Sequence, residues 1–134
     1  MTYYLRWRMS ELPSQVGTDE ETGFRVIRYV EGCASYGPYC RLEAGTYFGG
    51  FRIRALETSD ATDILRVQAG RMMGTDILAN RSVSGPELFT SVAGLVGIDF
   101  VLENESTNVE ICLYVSEAAS IEVQSLIVFR NELA

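Results

Sequence analysis

Apolar and polar residues alternate with a period of two along most of the chain after Phe24. A period of two places every second side chain on the same face of a β-strand. In residues 63–69, for example, Leu65, Val67 and Ala69 share one face of the predicted strand. The runs that predict strands are residues 47–56, 63–69, 96–103, 108–115 and 120–129.

Turn-forming residues separate these runs, and no segment carries a long helical period. The turns are Glu43-Ala44-Gly45, Ser59-Asp60, Ala69-Gly70, Ser84-Gly85-Pro86 and Asn104-Glu105-Ser106-Thr107-Asn108. Each predicted strand has one apolar face and one mixed polar face, as two sheets packed over one core require. The pattern therefore predicts an all-β fold, a two-sheet antiparallel β-sandwich or jelly roll.

The N-terminal region differs from the rest of the chain. Residues 10–23 are polar and rich in turn formers, which is typical of a linker or long loop. We therefore divide the chain into an N-terminal extended segment and polar loop, residues 1–23, and a sandwich domain, residues 24–134. Residues 2–9 also alternate, so we expect an added edge strand in which Trp7 is partly buried and its arginine neighbours point the other way.

The composition excludes several kinds of chemistry. The chain has 134 residues, no histidine and no lysine, and its net charge is −7. Without histidine there is no Ser-His-Asp or Cys-His nucleophile, and without lysine there is no Schiff base and no Walker-type phosphate loop. The negative charge argues against nucleic acid and against an anionic membrane surface as partners.

The cysteines and the hydropathy of the chain indicate its cellular location. The three cysteines, Cys33, Cys40 and Cys112, are an odd number, and we interpret them as reduced thiols. No apolar run approaches the roughly 20 residues of a membrane helix. The first fifteen residues lack the apolar core of a signal peptide. These features predict a cytoplasmic protein.

One segment concentrates glycine, proline and tyrosine. Residues 32–47 read GCASYGPYCRLEAGTY. The glycines and the proline suit tight turns. Tyr39 and Tyr47 flank predicted strands and suit either the end of a core or a flat platform for a ligand, whereas Tyr36, in a glycine-rich turn, is the one most suited to exposure.

The same region carries a family resemblance. Gly37-Pro38-Tyr39, Leu42, Gly45 and Tyr47, followed by an alternating strand, resemble the order found in carbohydrate-binding-module-like jelly rolls of the galactose-binding-domain type. Residues 62–83 and 86–115 resemble the later strands of such domains, so that the resemblance covers about residues 24–129. It implies a bacterial accessory domain of the kind appended to glycosyltransferases, methyltransferases or glycoside hydrolases, with no cofactor other than a structural calcium ion.

Our leading hypothesis is a non-catalytic module that binds a saccharide. Aromatic faces pack against the C–H patches of sugars, and planar or charged side chains bond their hydroxyls. The candidate ligand-binding residues are Tyr36 and Tyr39, for stacking, and Arg52, Arg54 and Glu110, for hydrogen bonding. We predict no catalytic residues and no metal ligands, because no pair of carboxylates is marked by its context.

Two alternatives come from other functional classes. A structural or assembly module would form a homodimer or dock on a fused enzyme domain. The apolar positions assigned to outer strand faces motivate this alternative: Phe48, Ile64, Val101, Leu126 and Val128. A hydrolase or lyase that uses acids alone would rely on carboxylates such as Asp99 and Glu110.

Overall fold

The computed structural model describes residues 4–72 and 74–131, and it shows two antiparallel β-sheets packed face to face. The predicted all-β sandwich is confirmed. The strands are β1 Tyr4–Arg8, β2 Thr18–Asp19, β3 Arg25–Arg28, β4 Gly32–Ser35, β5 Pro38–Leu42, β6 Gly45–Ala55, β7 Leu65–Arg71, β8 Asp76–Val83, β9 Gly94–Leu102, β10 Ser106–Val115 and β11 Ser120–Arg130. Two short 3₁₀ turns, Met9–Glu11 and Gly85–Glu87, complete the regular structure.

The larger sheet, sheet A, has six strands in the order β2-β3-β11-β6-β9, and β1 also pairs with β11. Strand β3 pairs with the first part of β11 and β1 with the second part. Sheet B has five strands in the order β4-β10-β7-β8, and β5 also pairs with β10. Neighbouring strands within each sheet often lie far apart in sequence, as β6 and β11 do.

The core lies between the sheets, where the predicted inward positions meet. On β6, Tyr47, Phe51 and Ile53 are completely buried, and on β9 Phe100 and Leu102 are nearly so. The rings of Tyr47 and Phe100 stack with their centroids 5.6 Å apart. The alternation in the sequence therefore identified the core face of these strands correctly.

The outward assignment of Ile64, Leu126 and Val128 was wrong, because all three are buried in the core. On β11 the cause is a β-bulge opposite Arg52, between Val123 and Ser125. A bulge adds one residue, so the inward positions change from odd to even numbers along the strand. Ile64 precedes β7, outside the strand alternation, and its backbone N–H donates a hydrogen bond to the Val83 carbonyl.

The N-terminal segment is part of sheet A. Trp7 packs against the core, and Arg6 and Arg8 are exposed, as predicted for an alternating edge strand. The division of the chain at residue 23 stays a prediction. Within the described ranges, none of the helical segments has the length and apolar character needed to span a bilayer.

A buried arginine fastens this segment to the body of the domain. Arg25, on β3, is 2% exposed and donates to the carbonyls of Met9, Leu12 and Ala34. It also forms an ion pair with Asp19, with Nε 2.6 Å from the carboxylate oxygen. One guanidinium thus joins β3 to β2, to β4 and to residues 9–12, and it supplies buried donors to three carbonyls.

Candidate functional site

The outer face of sheet B combines polar side chains with an aromatic ring. Side chains of β10 alternate between the core and the outer face of sheet B. Glu110, Cys112 and Tyr114 point to the outer face, where Glu110 and Cys112 are buried and Tyr114 is half-buried. The register places side chains of β7 and β8 beside them in three rows: Tyr114, Arg66 and Ser82; Cys112, Gln68 and Asn80; Glu110, Gly70 and Ile77. We call these nine residues the sheet-B face.

One end of the sheet-B face forms a groove of about 370 Å³. Its floor holds Arg66 and Tyr114, which are direct cross-strand partners. The guanidinium carbon of Arg66 lies 5.2 Å from the centroid of the Tyr114 ring, a cation–π contact. The walls include Gln15, Glu31 and Asp63, so the groove combines an aromatic ring with donors and acceptors.

Further along the face, hydrogen-bonding groups remain available to a ligand. Gln68 is half-buried, and Asn80 and Ser82 are exposed. The side chains of these three residues form no hydrogen bond with any other part of the chain that the structure describes. Amides and hydroxyls of this kind both donate and accept, which suits the hydroxyl groups of a sugar.

The opposite end of the face is closed by the tyrosines of the Gly-Pro segment. Glu110 is only 5% exposed, and its backbone pairs with Gly70 on one side and Pro38 on the other. Tyr39 lies beside it in the left-handed region, with φ of 61°. A non-glycine residue held at positive φ costs about 1–3 kcal/mol and is typical of functional sites.

The environment keeps the phenols of this face neutral. The pKa of Tyr39 is raised to about 12, mainly by loss of hydration and secondly by repulsion from the Glu110 carboxylate. The pKa of Tyr114 is also raised to about 12, mainly by loss of hydration and secondly by the nearby Cys112 side chain. The pKa of Cys112 is raised to about 12 as well, first by burial and then by Glu110. All three groups therefore carry their protons at neutral pH.

The structure brings together three of the five residues predicted for the ligand site. Tyr36, Tyr39 and Glu110 lie at one end of the sheet-B face, where Tyr36 is near enough to contribute to the pKa of Tyr39. Arg52 and Arg54 lie on β6, on the outer face of sheet A, and the core separates them from the other three. Arg54 is engaged there in an ion pair with Glu122, at 3.4 Å.

Sequence reasoning missed the polar side chains contributed by β7 and β8. Gln68, Asn80 and Ser82 join the face only through the pairing of β7 with both β10 and β8. The outward parity of Gln68 is visible in the sequence. The parity of β8 is not, because a bulge at Ala69/Gly70 shifts its register.

A second cleft lies among the loops at one end of the sandwich. Tyr29, 53% exposed and held at φ of 56°, lines it with Thr58, Ser59 and Asp60. The ring of Tyr29 offers an open aromatic surface that the sequence did not single out. Its hydroxylated neighbours would suit the same class of ligand as the sheet-B face.

The described residues offer no metal site built from side chains. Across 4–72 and 74–131, no three Cys, Asp or Glu residues lie close enough together to hold an ion. The structural calcium ion implied by the resemblance therefore stays an expectation for carbonyl-rich loops.

The two stacked sheets and their strand order define an antiparallel β-sandwich of the jelly-roll kind. The fold is similar to the C-terminal CBM6 of LamC, a marine laminarinase from Zobellia galactanivorans, with a TM-score of 0.60 at 15% identity, covering 95% of this chain and 99% of that one. It is also similar to the carbohydrate-binding module CBM6cm-2 of Cellvibrio mixtus lichenase 5A in complex with cellotriose, with a TM-score of 0.60 at 9% identity, covering 96% and 98%.

A third similar structure contains the fold within a longer chain. This is the CBM22-1-GH10 module pair of Clostridium thermocellum xylanase 10B complexed with xylohexaose, with a TM-score of 0.52 at 11% identity. The match covers 99% of this chain and 25% of that one. No protein-family model and no curated protein matches the sequence. At such low identities the similarity establishes the fold alone.

Proposed function

We propose that this domain binds a neutral saccharide on the sheet-B face, without catalysing its turnover. The observation that carries the proposal is the combination of a ring in a groove, Tyr114 beside Arg66, with the unpartnered groups of Gln68 and Asn80 on the same face. Similar folds in carbohydrate-binding modules, one of them in complex with cellotriose, support the choice of a saccharide.

Binding would use the two properties of a sugar ring. The C–H patches of one sugar ring pack on the aromatic face of Tyr114 at the groove, and those of another ring pack on Tyr36 and Tyr39 at the opposite end. The hydroxyls of the ligand exchange hydrogen bonds with Gln68 and Asn80 between these ends. A chain of several sugars lying along β10 would meet both ends of the face.

The charges of the site favour a neutral ligand. Glu31 and Asp63 line the groove and Glu110 lies at the far end, whereas Arg66 is the positive group at its floor. Like charges close together at an interface are costly. An acidic sugar would therefore meet repulsion here, and a neutral one would not. We expect weak binding, with a Kd in the range of about 10 µM to 1 mM, because a short glycan buries few atoms.

Such a domain would bring a catalytic domain to its substrate. The xylanase 10B structure contains a CBM22-1 module and a GH10 module in one chain. We extend this arrangement to the present chain as part of the proposal: its partner is a fused or associated enzyme domain, and its own role is to hold the glycan.

Calorimetric titration with neutral oligosaccharides, including cellulose-, xylan- and laminarin-derived ones, tests the proposal. Replacing both Gln68 and Asn80 by Ala removes two hydrogen-bonding groups and should weaken binding about tenfold, since each neutral bond contributes about 0.5–1.5 kcal/mol. Asn104→Ala is the matched control, because Asn104 is exposed in the β9–β10 turn, outside the face. Absence of binding to every neutral saccharide, or equal affinity of the double variant, would refute the site.

A further inference from the structure

We infer that the outer face of sheet A is a second binding surface, for a saccharide chain that carries carboxylate or sulfate groups. The inference rests on the proposed function for its choice of a saccharide. The site itself is independent, because it lies on the opposite side of the core and is built from different residues.

The distribution of unpaired arginines points to this surface. Six of the eleven arginines form ion pairs with carboxylates, and Arg66 packs on Tyr114. Among the described residues, four arginines have neither kind of partner: Arg6, Arg8, Arg28 and Arg52. All four are exposed and lie on the outer face of sheet A. Within residues 4–72 and 74–131, the arginines that have neither an ion pair nor an aromatic partner are thus confined to one side of a chain whose net charge is −7.

Three of these arginines converge through the strand register. Arg8 and Arg52 both lie opposite Ser125 of β11, one on each side. Their Cα atoms are therefore two strand spacings apart, roughly 10 Å. Arg6 is opposite Ile127 in the adjoining row. Each guanidinium presents a planar donor fork, which matches two oxygens of a carboxylate or sulfate group.

An aromatic row runs across the strands beside the arginines. Tyr4, Phe129 and Phe48 are successive partners on β1, β11 and β6. The rings of Phe48 and Phe129 stack with centroids 5.2 Å apart. Tyr4 is 56% exposed. The row provides a ring surface for sugars next to donors for their acidic groups.

Two glycines let the Phe48 ring lie flat on the sheet. Gly50 and Gly97 are direct partners on β6 and β9. A Cβ atom on Gly50 would lie 2.9 Å from Phe48 Cε1, and one on Gly97 would lie 2.7 Å from Phe48 Cζ. Side chains at these positions would meet the backbone of the paired strand first and then the ring, so the glycines allow both the close approach of β6 and β9 and the position of the Phe48 ring.

The charges argue against a second copy of this chain as the occupant. A second copy packed through the same face would bring the unpaired Arg8 and Arg52 to both sides of the interface, and like charges in contact destabilise an interface. A saccharide chain that pairs acidic groups with apolar sugar faces satisfies both the arginines and the aromatic row.

The test titrates the protein with oligogalacturonate, its neutral methyl ester, a sulfated galactan oligosaccharide and polyglutamate. We expect one of the acidic saccharides to bind at least about tenfold more tightly than the methyl ester, and the difference to shrink as salt screens the charges. The tighter of the two acidic saccharides identifies the group recognised. Binding of polyglutamate with equal affinity, or no binding of either acidic saccharide, would overturn the inference.

Variants locate the site and separate it from the sheet-B face. Replacing Arg8 and Arg52 together by Gln should weaken acidic-saccharide binding at least about tenfold, since bonds to charged groups contribute most. Arg41→Gln, which removes one exposed positive charge on β5, should leave it unchanged. Tyr4→Ala should weaken the binding of the acidic saccharide and should leave any binding of polyglutamate unchanged. If neutral sugars fail to bind while acidic saccharides still bind in an arginine-dependent way, the proposed function is refuted and the second surface is supported. If the arginine variant binds acidic saccharides as tightly as the unsubstituted protein, the second surface is refuted.

Discussion

The three tyrosines of residues 32–47 have different roles, although they look equivalent in the sequence. Tyr47 is fully buried, donates a hydrogen bond to the Glu43 carbonyl at 2.7 Å and closes the end of the core. Tyr36 and Tyr39 are half-buried at the end of the sheet-B face. One tyrosine therefore belongs to the core, and the other two to the candidate site.

The raised pKa values of Tyr39 and Tyr114 make a prediction at the residue scale. Both are about 12, against the ordinary value of 10.0. The fold thus favours the protonated phenols, so their stabilising contribution is complete below pH 10 and is lost as the pH rises through about 12. We expect the free energy of unfolding to fall across this interval, and Tyr39→Phe and Tyr114→Phe each to reduce the slope.

Ultraviolet absorbance of tyrosinate measures the same groups directly. The chain has seven tyrosines, and the alkaline titration should show a late component that each of the two Phe variants diminishes. Asn104→Ala, which removes neither phenol, is the control and should leave the late component unchanged. A single transition near pH 10 for all tyrosines would contradict the assigned environments.

At the scale of strands, alternation predicted the faces wherever a strand is regular. On β6, β7 and β10 the inward residues are those expected from the sequence. On β11 the parity changes at the bulge near Ser125, which no residue type in "VQSL" marks. Hydrogen bonding to neighbouring strands places the bulge, and these neighbours lie far away in sequence.

The same distance explains why the candidate site was predicted only in part. Arg52, Arg54 and Glu110 all have outward parity, and parity does not tell which sheet a strand joins. Strands β6 and β10 lie in different sheets because each pairs with partners remote in the chain. Glu110 is buried for a related reason: the segments of Pro38 and Gly70 flank it from both sides.

Arg25 gives a prediction for the attachment of the N-terminal strand. Replacing it by Met would remove the buried donors that bond the carbonyls of Met9, Leu12 and Ala34 and would leave Asp19 without its partner. Breaking a buried charged network of this kind typically costs about 3–5 kcal/mol. Urea denaturation should therefore show a loss of at least about 3 kcal/mol in unfolding free energy.

Arg28→Met is the matched control for this prediction. Arg28 is on the same strand, but it is exposed and has no ion pair among the described residues. Its replacement should change the unfolding free energy by no more than about 0.5 kcal/mol. Equal effects of the two substitutions would show that Arg25 does not join the N-terminal segment to the sandwich.

At the scale of the whole molecule, the sandwich separates two surfaces of opposite character. Glu31, Asp63 and Glu110 lie around Arg66 at the sheet-B face. The outer face of sheet A carries Asp99 and Glu122, but also four arginines that form no ion pair among the described residues. The packed core holds the two sheets about 10 Å apart. Ligands on the two faces would therefore touch no common residue, and each face could be occupied while the other is filled.

This separation predicts additive stabilisation by the two ligand classes. A ligand that binds only the folded state raises the unfolding free energy by RT ln(1 + [L]/Kd), and contributions from independent sites add. Denaturation with a neutral oligosaccharide, with an acidic one and with both should give a combined gain equal to the sum of the two. Two neutral oligosaccharides that share the sheet-B face provide the control, because they compete and their gains should fall short of the sum. A shortfall for the neutral and acidic pair would place both ligands on one face and contradict the assignment of two surfaces.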